Sequence, residues 1–241
     1  MHTREIEYAD GELTLRGYFA TDSTQPRPCV LIAHPWVGRG AFVIEKAKYL
    51  AELGYAGFAV DMYGDARLGA GKDECAALMN PLLSDRDHIK ARMLAALECV
   101  QGLPDVDSTS IAAMGYCFGG MCVLDLARSG VDIKGVVSFH GLLESPRDTD
   151  TKCKENDAAK IAAKVLVLHG HDDPMVTPDR VMAFTREMTK AEADWQIHMY
   201  GHTMHAFTNP EANDKAFGTV YDETADKRSL IAMKNFLAEI F

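Results

Sequence analysis

Residues 110–122, SIAAMGYCFGGMC, predict a strand, a sharp turn and a helix in direct succession. Residues 111–114 are an apolar run, glycines flank the cysteine of the Gly-Tyr-Cys-Phe-Gly-Gly turn that follows, and a helical pattern starts at Met121. A residue at such an apex is held in a strained backbone conformation, and a side chain two positions before or after it would collide with the crossing strand and helix. Cys117 would therefore project from the sheet edge over the first turn of the helix, where the helix dipole favours a thiolate.

The elements predicted around this turn alternate between strands and helices. Strands are predicted at residues 5–8, 12–19, 29–33, 55–60, 136–139, 165–168 and 195–200, and helices at 41–53, 121–128, 178–189 and in a C-terminal stretch with Leu230, Met233, Leu237 and Ile240 on one face. The dipeptide Asp-Gly at 10–11 is typical of a hairpin turn. This alternation predicts an α/β fold with a mainly parallel, doubly wound sheet, an antiparallel N-terminal hairpin and helices on both faces. Because no linker interrupts the chain, we expect one domain over residues 1–241.

Three segments carry weaker signals. Residues 61–72 are rich in glycine and predict a loop. Ser84, followed three residues later by Asp87, fits a capping box that would start a helix ending before Gly102. Residues 144–164 are polar and charged, with a helical pattern near 158–163, and are interpreted as a solvated connecting segment or as a lid.

Composition and charge describe an ordinary globular protein. Of the 241 residues 47% are hydrophobic and 25% are charged, and the net charge of -10 opposes binding to nucleic acid or to an anionic membrane surface. No apolar run approaches the roughly 20 residues of a bilayer-spanning helix. Residues 1–11 are polar, unlike a signal peptide, which predicts a cytoplasmic protein. The cysteines lack a zinc-binding spacing and are expected to be reduced thiols; they are Cys29, Cys75, Cys99, Cys117, Cys122 and Cys153.

Two later loops carry the acid and the base that a cysteine nucleophile needs. The sequence His-Gly-His-Asp-Asp at 169–173 and the sequence Gly-His-Thr-Met-His at 201–205 each follow a predicted strand. Loops that leave the carboxyl ends of parallel strands meet at one edge of the sheet, so a carboxylate and a histidine would join Cys117 there. The chain order is then nucleophile, acid, base. This order alone does not choose between Asp172 and Asp173, or between the two histidines.

Taken together, the motifs resemble the dienelactone hydrolase family, a group of α/β-hydrolases with a cysteine nucleophile. Three segments match that family in order: the elbow at 115–120, the Gly-x-x-Asp segment at 170–173 and the His-Ala-Phe segment at 205–207. The organisation agrees over nearly the full length, including the Asp-Met-Tyr-Gly segment at 61–64. The resemblance implies an α/β-hydrolase fold and a catalytic triad of Cys117, Asp173 and His205. It makes Asp172 and His202 loop neighbours of the catalytic residues.

The same fold implies an oxyanion hole made of two backbone N–H groups. One belongs to Phe118, the residue after the nucleophile, and the other to the loop after the strand at 29–33, where position favours Trp36. The residues expected to line the substrate pocket are His34, Tyr63 and Phe207.

Two positions depart from the pattern of the family. A glutamate that contacts the resting cysteine in dienelactone hydrolases is replaced by Pro35, and an arginine that binds the substrate carboxylate is replaced by Asn209. Dienelactone itself is therefore not the expected substrate. The expected resting state is a thiolate–imidazolium pair, and neutral substrates become plausible, phosphotriesters with phenolic leaving groups included.

The predicted reaction is hydrolysis of an activated ester or a lactone through a thioester on Cys117. A thiolate leaves more readily than an alkoxide, so the intermediate from an alkyl ester would collapse back to substrate. We expect no cofactor, a small-molecule ester or lactone as the binding partner, and a monomer or a homodimer. Two other interpretations stay open: a metal-dependent hydrolase that uses His169, His171 and Asp173, and a non-catalytic receptor or thiol sensor on the same fold.

Overall fold

The structure, a computed structural model, describes residues 1–145 and 160–241, and in them the chain forms an eight-stranded sheet and a separate two-stranded hairpin. The sheet strands are β1 (His2–Asp10), β2 (Leu13–Thr21), β3 (Arg27–Ala33), β4 (Ala56–Val60), β5 (Val106–Tyr116), β6 (Gly135–Phe139), β7 (Lys164–Gly170) and β8 (Trp195–Tyr200). Their spatial order is β1-β2-β4-β3-β5-β6-β7-β8. Strand β2 is antiparallel to both of its neighbours, and all the other adjacent pairs are parallel. The predicted sheet type and the N-terminal hairpin are confirmed.

Helices cover both faces of this sheet. Within the described residues they are α1 (Ala41–Glu52), α2 (Lys72–Ser84), α3 (Arg86–Gln101), α4 (Phe118–Arg128), α5 (Pro178–Lys190) and α6 (Glu223–Ile240). Helices α1 and α6 bury Leu50 and Met233 in one apolar cluster, and α2 to α5 contribute to the other, for example through Met93 and Phe184. The hydrophobic effect therefore stabilises the sheet from both sides.

The middle residues of β3 and β7 are apolar because each strand contributes side chains to both clusters. Along β3, Leu31 belongs to one cluster and Val30 to the other, and along β7 the same holds for Val167 and Leu166. Successive side chains of a strand point to opposite faces, so a strand covered on both faces needs apolar residues at every position. This requirement explains why these strands read as continuous apolar runs in the sequence.

Helix α2 is the largest difference from the sequence-based prediction, which places a loop up to its first residue and no helix beyond it. Its sequence, KDECAALMNPLLS, buries only Cys75 and Leu82 and carries Pro81 in the last turn. A helix with so narrow an apolar face gives a weak periodic signal, and the proline suggests an interruption. Packing against the rest of the protein stabilises this helix.

The ends of several elements also differ from the prediction. Helix α3 is capped by Asp85, whose side chain accepts a hydrogen bond of 3.1 Å from the Asp87 N–H, while Ser84 ends α2, so the predicted capping box is wrong. Helix α4 begins at Phe118, three residues earlier than predicted. Residues 160–163 are not helical, and the rest of the predicted helical tail lies outside the described residues.

The carboxyl ends of the parallel strands place the candidate residues together at one edge. Strand β3 leads to Trp36, β5 to Cys117, β7 to Asp173, and β8 to the loop with His205. Most of the segment 144–164, which the sequence leaves open as a lid or a connecting segment, lies outside the described residues. No helix in the described part of the chain has both the length and the apolar character that a bilayer crossing needs.

Candidate active site

The turn at Cys117 is a strained elbow that glycines make possible. Cys117 has a φ of 55°, in the left-handed region that residues with a side chain rarely adopt. A Cβ on Gly115 would lie 2.0 Å from the Gly119 carbonyl oxygen, and a Cβ on Gly119 would lie 2.1 Å from the carbonyl oxygen of Ala33. Strand β5, strand β3 and helix α4 can therefore approach this closely only because both positions are glycine. Their contact holds Cys117 at the N-terminus of α4.

His205 and Asp173 form a buried hydrogen-bonded pair beside this elbow. Nδ1 of His205 lies 2.7 Å from Oδ2 of Asp173, and both side chains are almost fully buried. The other carboxylate oxygen of Asp173 accepts a hydrogen bond from the Met175 N–H, at 2.8 Å. Because Asp173 accepts at Nδ1, the proton of a neutral His205 stays there, and Nε2 is left as the reactive nitrogen.

Nε2 of His205 is directed to the Cys117 thiol. Among the described residues this atom has no hydrogen-bond partner of good geometry, and the sulfur is the group with which it interacts. Burial opposes a charge on His205, but the Cys117 thiolate and the hydrogen bond to Asp173 outweigh it and raise the pKa of the imidazole above its ordinary value. The imidazole is therefore positively charged when the sulfur is a thiolate.

Two backbone N–H groups, of Phe118 and Trp36, lie near enough to the Cys117 sulfur to favour its charged form. Burial raises the pKa of a thiol, but the charge and proximity of His205 and the N–H groups of Phe118 and Trp36 together lower the pKa of Cys117 below the ordinary value. The two N–H groups are the ones that the sequence assigns to an oxyanion hole. Donors that meet at the sulfur also lie near the position that an oxyanion on an attached carbonyl would occupy.

Two buried side chains, of Tyr63 and His34, lie behind the loop that carries Trp36. The Tyr63 hydroxyl donates a hydrogen bond of 2.8 Å to the Trp36 carbonyl oxygen, and Nε2 of His34 accepts one of 3.1 Å from the Met62 N–H. His34 is 0% exposed and Tyr63 is 1% exposed, so neither can touch a substrate. They lie behind the Trp36 loop and are absent from the cavity wall, contrary to the sequence-based expectation.

Phe207 is likewise absent from the pocket wall. It is fully buried and packs edge-on against His140 and Tyr200, with ring centroids 5.1 and 5.5 Å away. Its place in the family motif therefore reflects packing beneath the loop of His205. The expectation that Phe207 lines the pocket is not met.

A cavity of about 380 Å³ opens above Cys117, Phe118 and His205. The walls are mainly apolar and aromatic, and the side chains that define them include Trp36, Phe42, Tyr116, Leu142, Met175 and Phe217. The volume is that of a small-molecule site. Most of these residues are far apart in the sequence and lie outside any motif, so sequence reasoning could not identify them.

His140 also belongs to the cavity wall, directly beside His205. It follows β6, its side chain is 3% exposed, and its ring centroid is 5.0 Å from that of His205. Nε2 of His140 lies 2.9 Å from the Thr208 hydroxyl. Burial and the neighbouring His205 charge hold the pKa of His140 well below its ordinary value, so His140 is neutral. Its position at the carboxyl end of a strand is the sequence signal that points to this residue.

The residues of the alternative metal motif do not converge. His169 is buried, whereas His171 is exposed and lies 2.7 Å from Asp172. Asp173 is engaged by His205, and the His202 side chain is fully exposed. In residues 1–145 and 160–241 no group of three or more histidine, cysteine and acidic side chains is arranged to hold a metal ion.

We expect alkylation of Cys117 to depend weakly on pH. For a thiol of ordinary pKa near 8.5, the reaction rate with iodoacetamide falls roughly 75-fold between pH 8 and pH 6, in proportion to the thiolate fraction. The lowered pKa of Cys117 keeps the thiolate populated at lower pH, so a clearly smaller fall is expected for Cys117 than for an ordinary thiol. Mass spectrometry of the modified peptides measures the rate at each cysteine.

The same samples contain the control. Burial raises the pKa of the half-buried Cys99 thiol, so Cys99 should show the full decrease. In His205→Gln the charge that offsets burial is lost, and Cys117 should become as pH-dependent as Cys99. An equally steep fall at Cys117 in the unaltered protein would contradict the thiolate–imidazolium pair.

Comparison with known proteins places the chain among hydrolases. The family model for the dienelactone hydrolase family matches residues 15–241. The dienelactone hydrolase-like promiscuous phosphotriesterase P91 from metagenomic libraries has a structure with a TM-score of 0.90 and 36% identity over 100% of this chain and 98% of its own.

Two further proteins are similar to this chain. The solved structure of m3DLH has 35% identity and a TM-score of 0.90, and it covers 100% of this chain and 98% of its own. The protein K02A2.1 of Caenorhabditis elegans is 37% identical over 163 residues, which are 66% of this chain and 99% of that protein. Because the family model matches nearly the whole length of this chain, the chain belongs to the dienelactone hydrolase family, a family of α/β-fold hydrolases.

Proposed function

We propose that the protein hydrolyses activated, neutral carboxylic esters or lactones through a thioester on Cys117. The observation that carries this proposal is that Cys117, Phe118, Trp36 and the Asp173-bound His205 border one apolar cavity, where the imidazole and the two N–H groups favour a thiolate on Cys117. A thiolate with a paired imidazolium and two convergent N–H donors has the parts that nucleophilic acyl transfer requires. Asp173 would hold the tautomer of His205.

In the first half of the reaction the Cys117 thiolate attacks the carbonyl carbon. The new S–C bond forms, the carbonyl oxygen becomes an oxyanion, and the N–H groups of Trp36 and Phe118 stabilise its charge. When the C–O bond breaks, the leaving oxygen takes its electron pair and receives the proton from Nε2 of His205. The products are a thioester and an alcohol, or, with a lactone, a thioester with the hydroxyl still attached.

In the second half, water releases the acid. His205, now neutral, accepts a proton from the water that attacks the thioester carbonyl. The S–C bond breaks, the electron pair returns to sulfur, and the thiolate–imidazolium pair is restored. The acid loses its own proton to solvent.

The cavity supports neutral substrates in particular. Its wall is mainly apolar, and Asn209 stands in it where the family pattern has an arginine for a substrate carboxylate. The lysine at its rim, Lys72, is paired with Asp214 at 2.7 Å. A charged substrate would lose hydration in such a cavity without gaining a free cationic partner.

Phosphotriester cleavage is a second candidate activity. P91, which is 36% identical over the whole chain, is named as a promiscuous phosphotriesterase, and phosphotriesters are neutral. On this chain Cys117 would attack phosphorus, a phenol would leave, and water would then cleave the S–P bond. Turnover of paraoxon that disappears in Cys117→Ala would support this activity, and turnover that survives the substitution would exclude Cys117 from it.

We expect phenyl butyrate to be hydrolysed at least about 100-fold faster than ethyl butyrate, measured as kcat/KM by titration of released acid. Both esters form the same thioester, so the difference lies in the leaving group. A phenol, with a pKa near 10, is expelled in competition with a thiolate of ordinary pKa near 8.5, whereas an alkoxide is a much poorer leaving group.

Ester size is controlled by comparing benzyl butyrate, which has an aromatic group but an alkoxide leaving group. If benzyl butyrate is as slow as ethyl butyrate, leaving-group activation decides the rate. Equal rates for phenyl and ethyl butyrate would contradict the thioester mechanism.

We further propose a cytoplasmic location. Cys29, Cys75, Cys99, Cys117 and Cys122 are all free thiols in the structure, and a reducing compartment preserves such thiols.

A further inference from the structure

The mouth of the cavity is closed on one side by a small hairpin, β9 (Asn213–Asp214) and β10 (Thr219–Val220). This hairpin is tied to the loop of His205 by two backbone hydrogen bonds of 3.0 Å, from the His205 N–H to Gly218 and from the Val220 N–H to His205. A Cβ on Gly218 would lie 2.1 Å from a ring carbon of Pro174, so the hairpin also packs closely against the loop of Asp173. Its position relative to the reacting groups is therefore well defined.

The far side of the hairpin reaches across the cavity to two other elements. Phe217 stacks on the Trp36 indole, with ring centroids 5.9 Å apart and an angle of 19° between the planes. Nζ of Lys72, the first residue of α2, lies 4.4 Å from the centre of the Phe217 ring. The three side chains belong to separate parts of the chain, and together with Asp214 they form the rim of the cavity.

Asp214 uses its two carboxylate oxygens for two different purposes. Oδ1 accepts a hydrogen bond of 2.9 Å from the Phe217 N–H and so closes the hairpin turn, while Oδ2 accepts one of 2.7 Å from Lys72. These contacts, the one from Lys72 first, hold the pKa of Asp214 below its ordinary value, and the carboxylate stays charged. The residues in contact, 72 and 214, are separated by 142 positions in the chain.

Lys72 is the only lysine or arginine that lines the cavity within the described ranges. Without Asp214 it would be a free cation at the mouth of an apolar site, and it would attract substrates that carry a carboxylate. With Asp214 the pair has no net charge, and an anion that approached Lys72 would also meet the negative Asp214.

We propose that Asp214 is a specificity-determining residue: by holding Lys72 in an ion pair at the cavity rim, it makes the site prefer neutral over anionic substrates. This inference rests on the proposed esterase function and deepens it.

The test uses a substitution that removes the charge and keeps the turn. In Asp214→Asn the amide oxygen can still accept the hydrogen bond from Phe217, while Lys72 loses its counter-charge. Lys72→Met removes the cation and leaves an apolar side chain on Phe217, and the double variant combines both changes. Glu239→Gln is the matched control, because Glu239 also pairs with a lysine, Lys164, at 2.7 Å, away from the cavity.

Two substrate pairs differ only in charge. The first pair is p-nitrophenyl hydrogen adipate, which carries a carboxylate on its acyl group, and the methyl ester of that carboxylate. The second pair is 4-butyryloxybenzoate, which carries a carboxylate on its leaving group, and the methyl ester of that carboxylate. In Asp214→Asn we expect the ratio of kcat/KM for the anionic ester to kcat/KM for the neutral ester to rise about twofold to fivefold for at least one pair. This is the range for one exposed charge pair. The rise should disappear in the double variant and be absent in Glu239→Gln.

The ratio would refute the proposal if it stayed constant in Asp214→Asn, or if it rose equally in Glu239→Gln. If the esterase proposal itself were wrong, the result would be different, since no variant would then hydrolyse any of the esters.

A binding measurement tests the role of Asp214 without catalysis. Calorimetry should show tighter binding of naphthoate, but not of uncharged naphthamide, to Asp214→Asn than to the unaltered protein. Unchanged binding of naphthoate would overturn the assignment of Asp214 independently of catalysis.

Discussion

Replacement of Cys117 by alanine is expected to lower kcat/KM for p-nitrophenyl butyrate by at least about 10⁴-fold, because the proposed nucleophile beside His205 is then removed from the cavity. The oxyanion donors and His205 remain in the variant, but they can act only on water. Alanine keeps the Cβ at the strained φ of 55°, so the fold should be preserved. Far-ultraviolet circular dichroism and thermal unfolding check this.

A second cysteine substitution provides the control for this prediction. Cys99 is a free, half-buried thiol on α3, and Cys99→Ala should change the activity by less than about twofold. Iodoacetamide should inactivate Cys99→Ala as completely as the unaltered protein. Activity that persisted in Cys117→Ala would show that another group performs the chemistry, and the metal-dependent interpretation would then have to be tested with chelators.

Replacement of Gly119 by alanine is expected to destabilise the protein by about 4 kcal/mol or more in the free energy of unfolding. The new Cβ would lie 2.1 Å from the carbonyl oxygen of Ala33 and 2.7 Å from that of His34, and both atoms belong to backbone that cannot rotate away. Helix α4 would have to move away from β3. For a protein of this size the expected decrease in Tm is roughly 10 °C or more.

Gly201→Ala is the matched substitution for this experiment. No atom lies within 4 Å of the position of its Cβ, and its φ is not in the left-handed region, so the Tm should change by less than about 2 °C. Solubility and Tm of both variants can be measured side by side. If Gly119→Ala were as stable as Gly201→Ala, the close contact at the elbow would not be what positions Cys117.

The elbow and the loops beside it could be predicted because their signals are local. Glycines around Cys117 have a steric reason that depends only on neighbouring elements, and the structure shows the backbone contacts at Gly115 and Gly119. The chain order of Cys117, Asp173 and His205 follows from the order of parallel strands, and the structure brings these residues to one edge. Their catalytic roles stay a prediction until activity is measured.

The substrate cavity could not be predicted in the same way. Its wall is assembled from α2, from the loop after β3 and from the hairpin of β9 and β10, and the first of these elements has a weak periodic signal. The contact of Lys72 with Asp214 spans 142 residues. The sequence predicts Tyr63 and His34 as pocket residues, but in the structure both are buried behind the Trp36 loop.

The most direct test of the central claim is to trap the acyl group on Cys117. The protein is mixed with p-nitrophenyl butyrate, quenched in acid within the first turnovers and analysed by mass spectrometry, with the released p-nitrophenol measured in parallel. We predict one butyryl group per protein on the peptide that contains Cys117, a matching burst of p-nitrophenol, and neither in Cys117→Ala. A butyryl group on a different residue, or steady turnover with no acylated protein and no burst, would contradict the thioester mechanism.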